Sequence, residues 1–180
     1  RYLRSGLWQA QNYPLSAGSL RDRSIGIVGM GRIGQAIGRR LEASRVPVAY
    51  HSRNPSPAVS YKHYGNLMEM ADAVDTLIVI VPGGAATAKM INADVLKALG
   101  PRGVLINVAR GSVVDEQALT VALARNTILS AGLDVYLREP EVPQQLHQQP
   151  ARVAAGCWSG WPRWPPPRPR SGWALRILRW

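Results

Sequence analysis

Gly29-Met30-Gly31-Arg32-Ile33-Gly34 places three glycines at the spacing G-x-G-x-x-G. Just upstream, Ser24–Val28 is a short apolar run; just downstream, Ile33, Ala36, Ile37 and Leu41 recur at helical spacing. Between a buried strand and an amphipathic helix, such a turn is suited to a pyrophosphate. Gly29 permits the tight turn, Gly31 lets the backbone approach the phosphates, and Gly34 lets the helix pack closely on the strand. The helix start adds N–H groups without intrahelical partners and a partial positive charge. Arg32 and Ile33, inside the turn, complete this set of cofactor-contact candidates. The same spacing also suits a plain glycine-rich turn with no ligand.

The end of the next apolar run chooses between dinucleotides. An acid there bonds the adenosine ribose of NAD, whereas an arginine accommodates the 2′-phosphate of NADP. This chain reads Ala49-Tyr50-His51-Ser52-Arg53-Asn54-Pro55, with no acid between Ser44 and Tyr64. Ser52 offers a hydrogen-bond donor and Arg53 a charged fork, and no carboxylate repels a phosphate. The expected cofactor is therefore NADP(H) in preference to NAD(H). A solvated loop arginine is the plainer reading of Arg53.

These residues need a scaffold, and the rest of the chain supplies its pattern. Nearly continuous apolar runs at Ser24–Val28, Pro47–His51, Thr76–Val81, Val104–Val108 and Ile128–Val135 predict strands buried on both faces. Helical spacing predicts helices after the glycine turn and over Asn66–Val74. Asn92 can cap a helix through Leu99 that Gly100-Pro101 ends, and Asp115 can cap another through Asn126. Alternating strands and helices with right-handed crossovers give an α/β fold, a doubly wound parallel-sheet Rossmann domain, with an irregular C-terminal tail.

The expected domain spans residues 1–145, with 1–20 as a lead-in segment. Residues 146–180 differ in kind. They hold five of the six tryptophans and six of the fourteen prolines, show no clear period, and are expected to be disordered. They carry six arginines and no acid, so they supply +6 of the +11 net charge; the other 16 bases and 11 acids leave +5. With the excess concentrated there, the charge argues against a nucleic-acid partner. No apolar run is long enough to cross a bilayer, so no membrane partner is expected. One cysteine, Cys157, cannot form an internal disulfide, which suits a reducing, cytoplasmic setting. A chain beginning at Arg1 rather than Met reads as a fragment.

GIVGMGRIG, LIVIVPGGAATAKMIN, LINVARGSVVDEQAL and AGLDVYLREP, in this order, resemble the D-isomer-specific 2-hydroxyacid dehydrogenases over about residues 1–145. HSRNP and the Pro82-Gly83-Gly84 turn look most like the NADP-preferring glyoxylate/hydroxypyruvate reductase branch. By position, the resemblance implies that Arg110 binds the substrate carboxylate and polarises the 2-oxo group; a guanidinium suits this chemically. It also implies that Val108 and Ala109 lie at the nicotinamide ribose, that Asp134 bonds the carboxamide, and that Val81 and Pro82 sit beside the cofactor. Glu139 resembles the acid that pairs with a catalytic histidine and raises its pKa. Asp134 as a turn cap and Glu139 as a surface acid are the structural alternatives. No metal site is expected.

The departures from the family pattern bear on function. The family's histidine follows that glutamate by about twenty residues in a Pro-His-x-Gly setting. Here the neighbourhood reads Gly156-Cys157-Trp158-Ser159-Gly160, and the last histidine, His147, comes too early. The family's long N-terminal substrate-domain segment is absent, and the tail stands where the C-terminal return would be. A single-nucleotide frameshift near Leu146 in GC-rich DNA accounts for both the tail's composition and the lost histidine; a proline-rich interaction tail is the alternative. Two functions follow as expectations. One is the cofactor half of an oxidoreductase moving a hydride from NAD(P)H to a small 2-oxo acid, inactive as written. The other is a non-catalytic NAD(P)-binding or sensing module. The resemblance further implies a homodimer.

Overall fold

The computed structural model describes residues 20–139, 141, 143–147 and 153–155. Their order is β1 (Ile25–Val28), α1 (Arg32–Ala43), β2 (Val48–His51), β3 (Lys62–Tyr64), α2 (Leu67–Ala73), β4 (Thr76–Val79), α3 (Ala93–Leu99), β5 (Val104–Asn107), α4 (Glu116–Ala124), β6 (Ser130–Leu133), α5 (Gln144–His147) and β7 (Val153–Ala155). The strands form one sheet in the order β3-β2-β1-β4-β5-β6-β7. Every neighbouring pair is parallel. The chain thus starts in the middle, winds outward to β3, then returns to wind the other way from β4.

Burial explains why the central runs are strands. β1 and β4 are buried at every residue. Alternate side chains enter two separate cores. Val28, Leu77, Val79 and Leu105 join Met70, Leu96, Leu119 and Leu123 from α2, α3 and α4. Ile25, Ile27 and Ile78 form the second core, against which Ile37 and Leu41 of α1 pack. Each fully buried Leu or Ile contributes about 1.5–3 kcal/mol relative to exposure. The doubly wound architecture expected from the sequence is therefore present.

Three boundaries differ from the sequence reading. β3 was not anticipated: it is a three-residue edge strand, partly exposed, with no apolar alternation to betray it. The last long run narrows to Ser130–Leu133, because Ile128 is buried ahead of the strand and Asp134 already leaves the sheet. The sheet also continues past the boundary expected at residue 145. Leu146 is 1% exposed within the first core, and Val153–Ala155 pairs with β6 from Ala131↔Val153 to Leu133↔Ala155. Small and β-branched residues allow that pairing despite the unusual composition around them. Residues 148–152 and 156–180, like 1–19, lie outside the described residues, and with them most of the tail expected to be disordered. Among the described residues, no helix is long and apolar enough to cross a membrane, and no group of three or more His, Cys, Asp or Glu could hold a metal.

Candidate functional site

Because all strands run the same way, their carboxyl ends share one edge of the sheet, where ligands of open α/β sheets bind. Backbone hydrogen bonds lace that edge together. Gly29 N–H donates to His51 O (2.9 Å), Ile80 N–H to Val28 O (2.9 Å), Val108 N–H to Val79 O (3.3 Å) and Asp134 N–H to Asn107 O (3.0 Å). These bonds tie the segments after β2, β1, β4, β5 and β6 side by side. The glycine turn, Ser52-Arg53, Val81-Pro82, Val108-Ala109-Arg110 and Asp134, scattered over more than eighty residues of sequence, are thereby gathered along one edge.

The glycine turn divides into two structural glycines and one that the protein itself does not need. Gly29 has φ +107°, which side-chain-bearing residues rarely adopt. A Cβ on Gly34 would collide with the carbonyl oxygen of Gly29, so α1 could not sit this close to β1. A Cβ on Gly31 would meet nothing within 4 Å. Gly31 is also the N-cap of α1, with extended backbone, no side-chain cap and no acid in the first turn. By contrast α2, α3 and α4 are capped by Asn66, Asn92 and Asp115, and each has an acid in its first turn. A helix start with free space, unclaimed N–H groups and no local anion suits an external anion. The residues present therefore fit a dinucleotide pyrophosphate. Ile33, also read as part of the apolar face of α1, is 61% exposed. That exposure sets it apart from Ile37 and Leu41, which pack on the second core.

After β2, Arg53 is exposed, and no partner among the described residues holds its guanidinium. The Ser52 hydroxyl donates to the Asn54 carbonyl at 2.7 Å within the loop. Arg53 beside it is the charged donor of this loop. The His63 ring lies 2.9 Å from the Ser52 carbonyl through Nε2, and the Tyr50 hydroxyl accepts from Ser56 N–H at 2.8 Å.

Arg110 follows β5. A Cβ on Gly83 would come within 3.0 Å of Arg110 Cγ, so the arginine lies across the Pro82-Gly83-Gly84 turn. Thr87 Oγ1 holds that turn through the Pro82 carbonyl at 2.7 Å. Arg110 is exposed and one Nη donates to Ala109 O at 2.7 Å, leaving most of its five donors unspent. The sequence reading missed what shapes this turn. Asn107, 1% exposed, donates through Nδ2 to Arg110 O (3.0 Å) and accepts through Oδ1 from Ala109 N–H (3.1 Å). A polar residue closing an otherwise apolar strand was the available signal. Val108 is 39% exposed while Ala109 is buried, so Val108 alone presents a side chain outward.

The segment after β6 is packed tightly on this turn: a Cβ on Gly111 would overlap the backbone of Tyr136 and Leu137. Asp134 is exposed at the edge. Glu139 is also exposed, and its carboxylate accepts from Tyr136 N–H at 3.0 Å. Glu139 thereby closes a local turn through one of its two carboxylate oxygens. Glu116 supports the same turn by accepting from Leu137 N–H at 2.6 Å. Burial, then the nearby Glu116 and Asp134 carboxylates, push the Tyr136 phenol above its usual pKa.

Comparison with known proteins matches residues 1–156 to a family described as D-isomer specific 2-hydroxyacid dehydrogenase, NAD binding domain. Hydroxyphenylpyruvate reductase of Plectranthus scutellarioides is 43% identical over 146 residues, covering 81% of this chain and 46% of that protein. Glyoxylate/hydroxypyruvate reductase A of Arabidopsis thaliana is 42% identical, with the same coverage. The chain thus spans just under half the length of these curated relatives. Among solved structures, the NADPH-dependent glyoxylate/hydroxypyruvate reductase of Sinorhizobium meliloti, in complex with NADP and malonate, is 55% identical with a TM-score of 0.80. It covers 86% of this chain and 48% of that one.

Proposed function

We propose, for a chain that belongs to the D-isomer specific 2-hydroxyacid dehydrogenase family, that it is the cofactor half of a reductase of small 2-oxo acids, of the glyoxylate/hydroxypyruvate type, that prefers NADP(H) to NAD(H). The observation that carries the reading is the first turn of α1, with its glycine cap, open space and absent acid. Arg53 at the end of β2, with no neighbouring carboxylate in the loop, supports the NADP(H) preference. So does the NADPH dependence of the S. meliloti relative.

The nicotinamide, when bound, supplies a hydride. The chain's own residues bind and orient. Gly31 and the first N–H groups of α1 take the pyrophosphate, and Arg53 takes the 2′-phosphate. Val81, Pro82 and Val108, with the backbone at Ala109, line the path toward the nicotinamide, and Asp134 accepts from its carboxamide. Arg110 grips the substrate carboxylate. An alkoxide formed at the substrate needs a proton, and a positioned general acid contributes about 100- to 10,000-fold. The sequence Gly156-Cys157-Trp158-Ser159-Gly160 holds no histidine to donate it, so Glu139 has no imidazole there to pair with. We therefore expect cofactor binding with little or no turnover, which is also what a sensing module of the same fold would display.

The test is NADPH oxidation with glyoxylate and with hydroxypyruvate. It should compare this chain with a version in which a histidine-bearing segment follows β7. Activity only in the second supports the reading; robust turnover by the chain as written contradicts it. A homodimer in a cytoplasmic setting belongs to the same proposal, and a monomeric mass by light scattering at high concentration would count against that assembly.

A further inference from the structure

β3 is too short and too exposed to add much to the core, yet its middle residue is tied to the loop that follows the neighbouring strand. His63 Nε2 stands 2.9 Å from the Ser52 carbonyl oxygen. A carbonyl only accepts, so Nε2 carries the proton. The imidazole rests on Tyr50, its register partner across β2 and β3, with ring centroids 5.1 Å apart and planes at 49°. Tyr50 is itself 2% exposed, and its hydroxyl accepts from Ser56 N–H at 2.8 Å. The two contacting rings therefore hold both ends of the Ser52–Ser56 loop. A second imidazole binds the strands just below: His51 Nδ1 donates to Tyr64 O at 2.9 Å. Between the pinned ends, Arg53 projects with no partner among the described residues.

We propose that His63 is a specificity-positioning residue, fixing the Ser52 carbonyl and hence the direction in which Arg53 leaves the loop toward a 2′-phosphate. The inference rests on reading Arg53 as the 2′-phosphate ligand. A pinned loop loses less freedom when the phosphate binds, so affinity that depends on Arg53 is preserved. NADH has no 2′-phosphate and gains little from Arg53. Releasing the loop should weaken NADPH far more than NADH, an asymmetry that a merely structural role for His63 would not produce.

The experiment measures dissociation constants for NADPH and NADH by fluorescence titration. It uses the wild-type chain, His63→Leu, His63→Gln, His63→Phe and Arg53→Ala, each checked for folding by a thermal melt. His63→Leu removes the donor and should weaken NADPH roughly tenfold, the scale of one lost hydrogen bond plus reordering, with NADH changed less than about twofold. His63→Gln keeps an N–H donor and should recover most of the NADPH affinity. His63→Phe keeps the ring contact with Tyr50 but not the donor; it should behave like His63→Leu and serves in its place if that variant does not fold. Equal weakening of both cofactors, or no change in either, would overturn the proposal. Arg53→Ala separates the two layers. If it erases the NADPH preference while the donor-less His63 variants retain it, only the role of His63 fails. If it leaves the preference intact, the underlying reading of Arg53 fails too.

Discussion

Gly31→Ala should separate binding from folding. The backbone at Gly31 is extended, with φ −77° and ψ −166°, so alanine fits it without strain. Its Cβ would meet nothing within 4 Å. Two opposing effects on stability nearly cancel. Replacing glycine stiffens the unfolded chain and stabilises by about 0.4–1 kcal/mol. Alanine is a poorer N-cap than glycine, which costs about 0.5–1 kcal/mol. The melting temperature should therefore stay within about 4 °C of wild type. Binding should not escape so lightly, because the methyl group occupies the approach to the first N–H groups of α1. Losing one hydrogen bond to a charged phosphate costs about 1.5–3 kcal/mol, or roughly 10- to 150-fold in affinity. Gly34→Ala is the control with the opposite signature. Its Cβ would overlap the Gly29 carbonyl, which cannot rotate away, and overpacking of this kind costs about 1–3 kcal/mol or more. Thermal melts without cofactor and fluorescence titrations with NADPH measure the two quantities. Wild-type NADPH affinity in Gly31→Ala, or a loss of stability as large as in Gly34→Ala, would refute the reasoning.

Two further outcomes follow from the same geometry. Asn107→Leu leaves Ala109 N–H and Arg110 C=O without their partner in a buried turn, and should destabilise the fold by about 2–4 kcal/mol in urea unfolding; a change under about 1 kcal/mol would contradict the role given to Asn107. The Ala118 N–H, then Lys89 and the Gln117 N–H, hold the Asp115 carboxyl below its usual pKa despite partial burial. A folded pKa below the unfolded one means that Asp115 contributes stability above the unfolded value and loses it as pH falls through the folded one. Asp115→Asn keeps a capping side chain but not the charge, so the acid limb of its stability profile should be shallower; an unchanged slope would exclude the assignment.

The sequence exposed the central fold because its signals there are physically strong. Ser24–Val28 and Thr76–Val81 read as doubly buried strands, and β1 and β4 are buried at every residue. Asn92 and Asp115 read as caps, and each accepts two backbone N–H groups at its helix start. Gly29 and Gly34 were legible for the same reason: a turn and a close approach each demand glycine. What escaped leaves no periodic or spacing signal. Lys62-His63-Tyr64 has no hydrophobic period, because an edge strand needs none. Asn107 gains meaning only when β5 ends beneath the Arg110 turn. The hydroxyl of Ser52 and one carboxylate oxygen of Glu139 bond nearby backbone groups, at Asn54 and Tyr136. Motif spacing is blind to such local hydrogen bonds.

The most direct test of the account is a calorimetric titration of the wild-type chain with NADPH and, separately, with NADH at one ionic strength. A preformed phosphate site at Gly31 with Arg53 beside it predicts saturable binding of one NADPH per chain, tighter than NADH by roughly 10- to 150-fold, the worth of one charged hydrogen bond. No binding of either nucleotide, or equal or tighter binding of NADH, would contradict it.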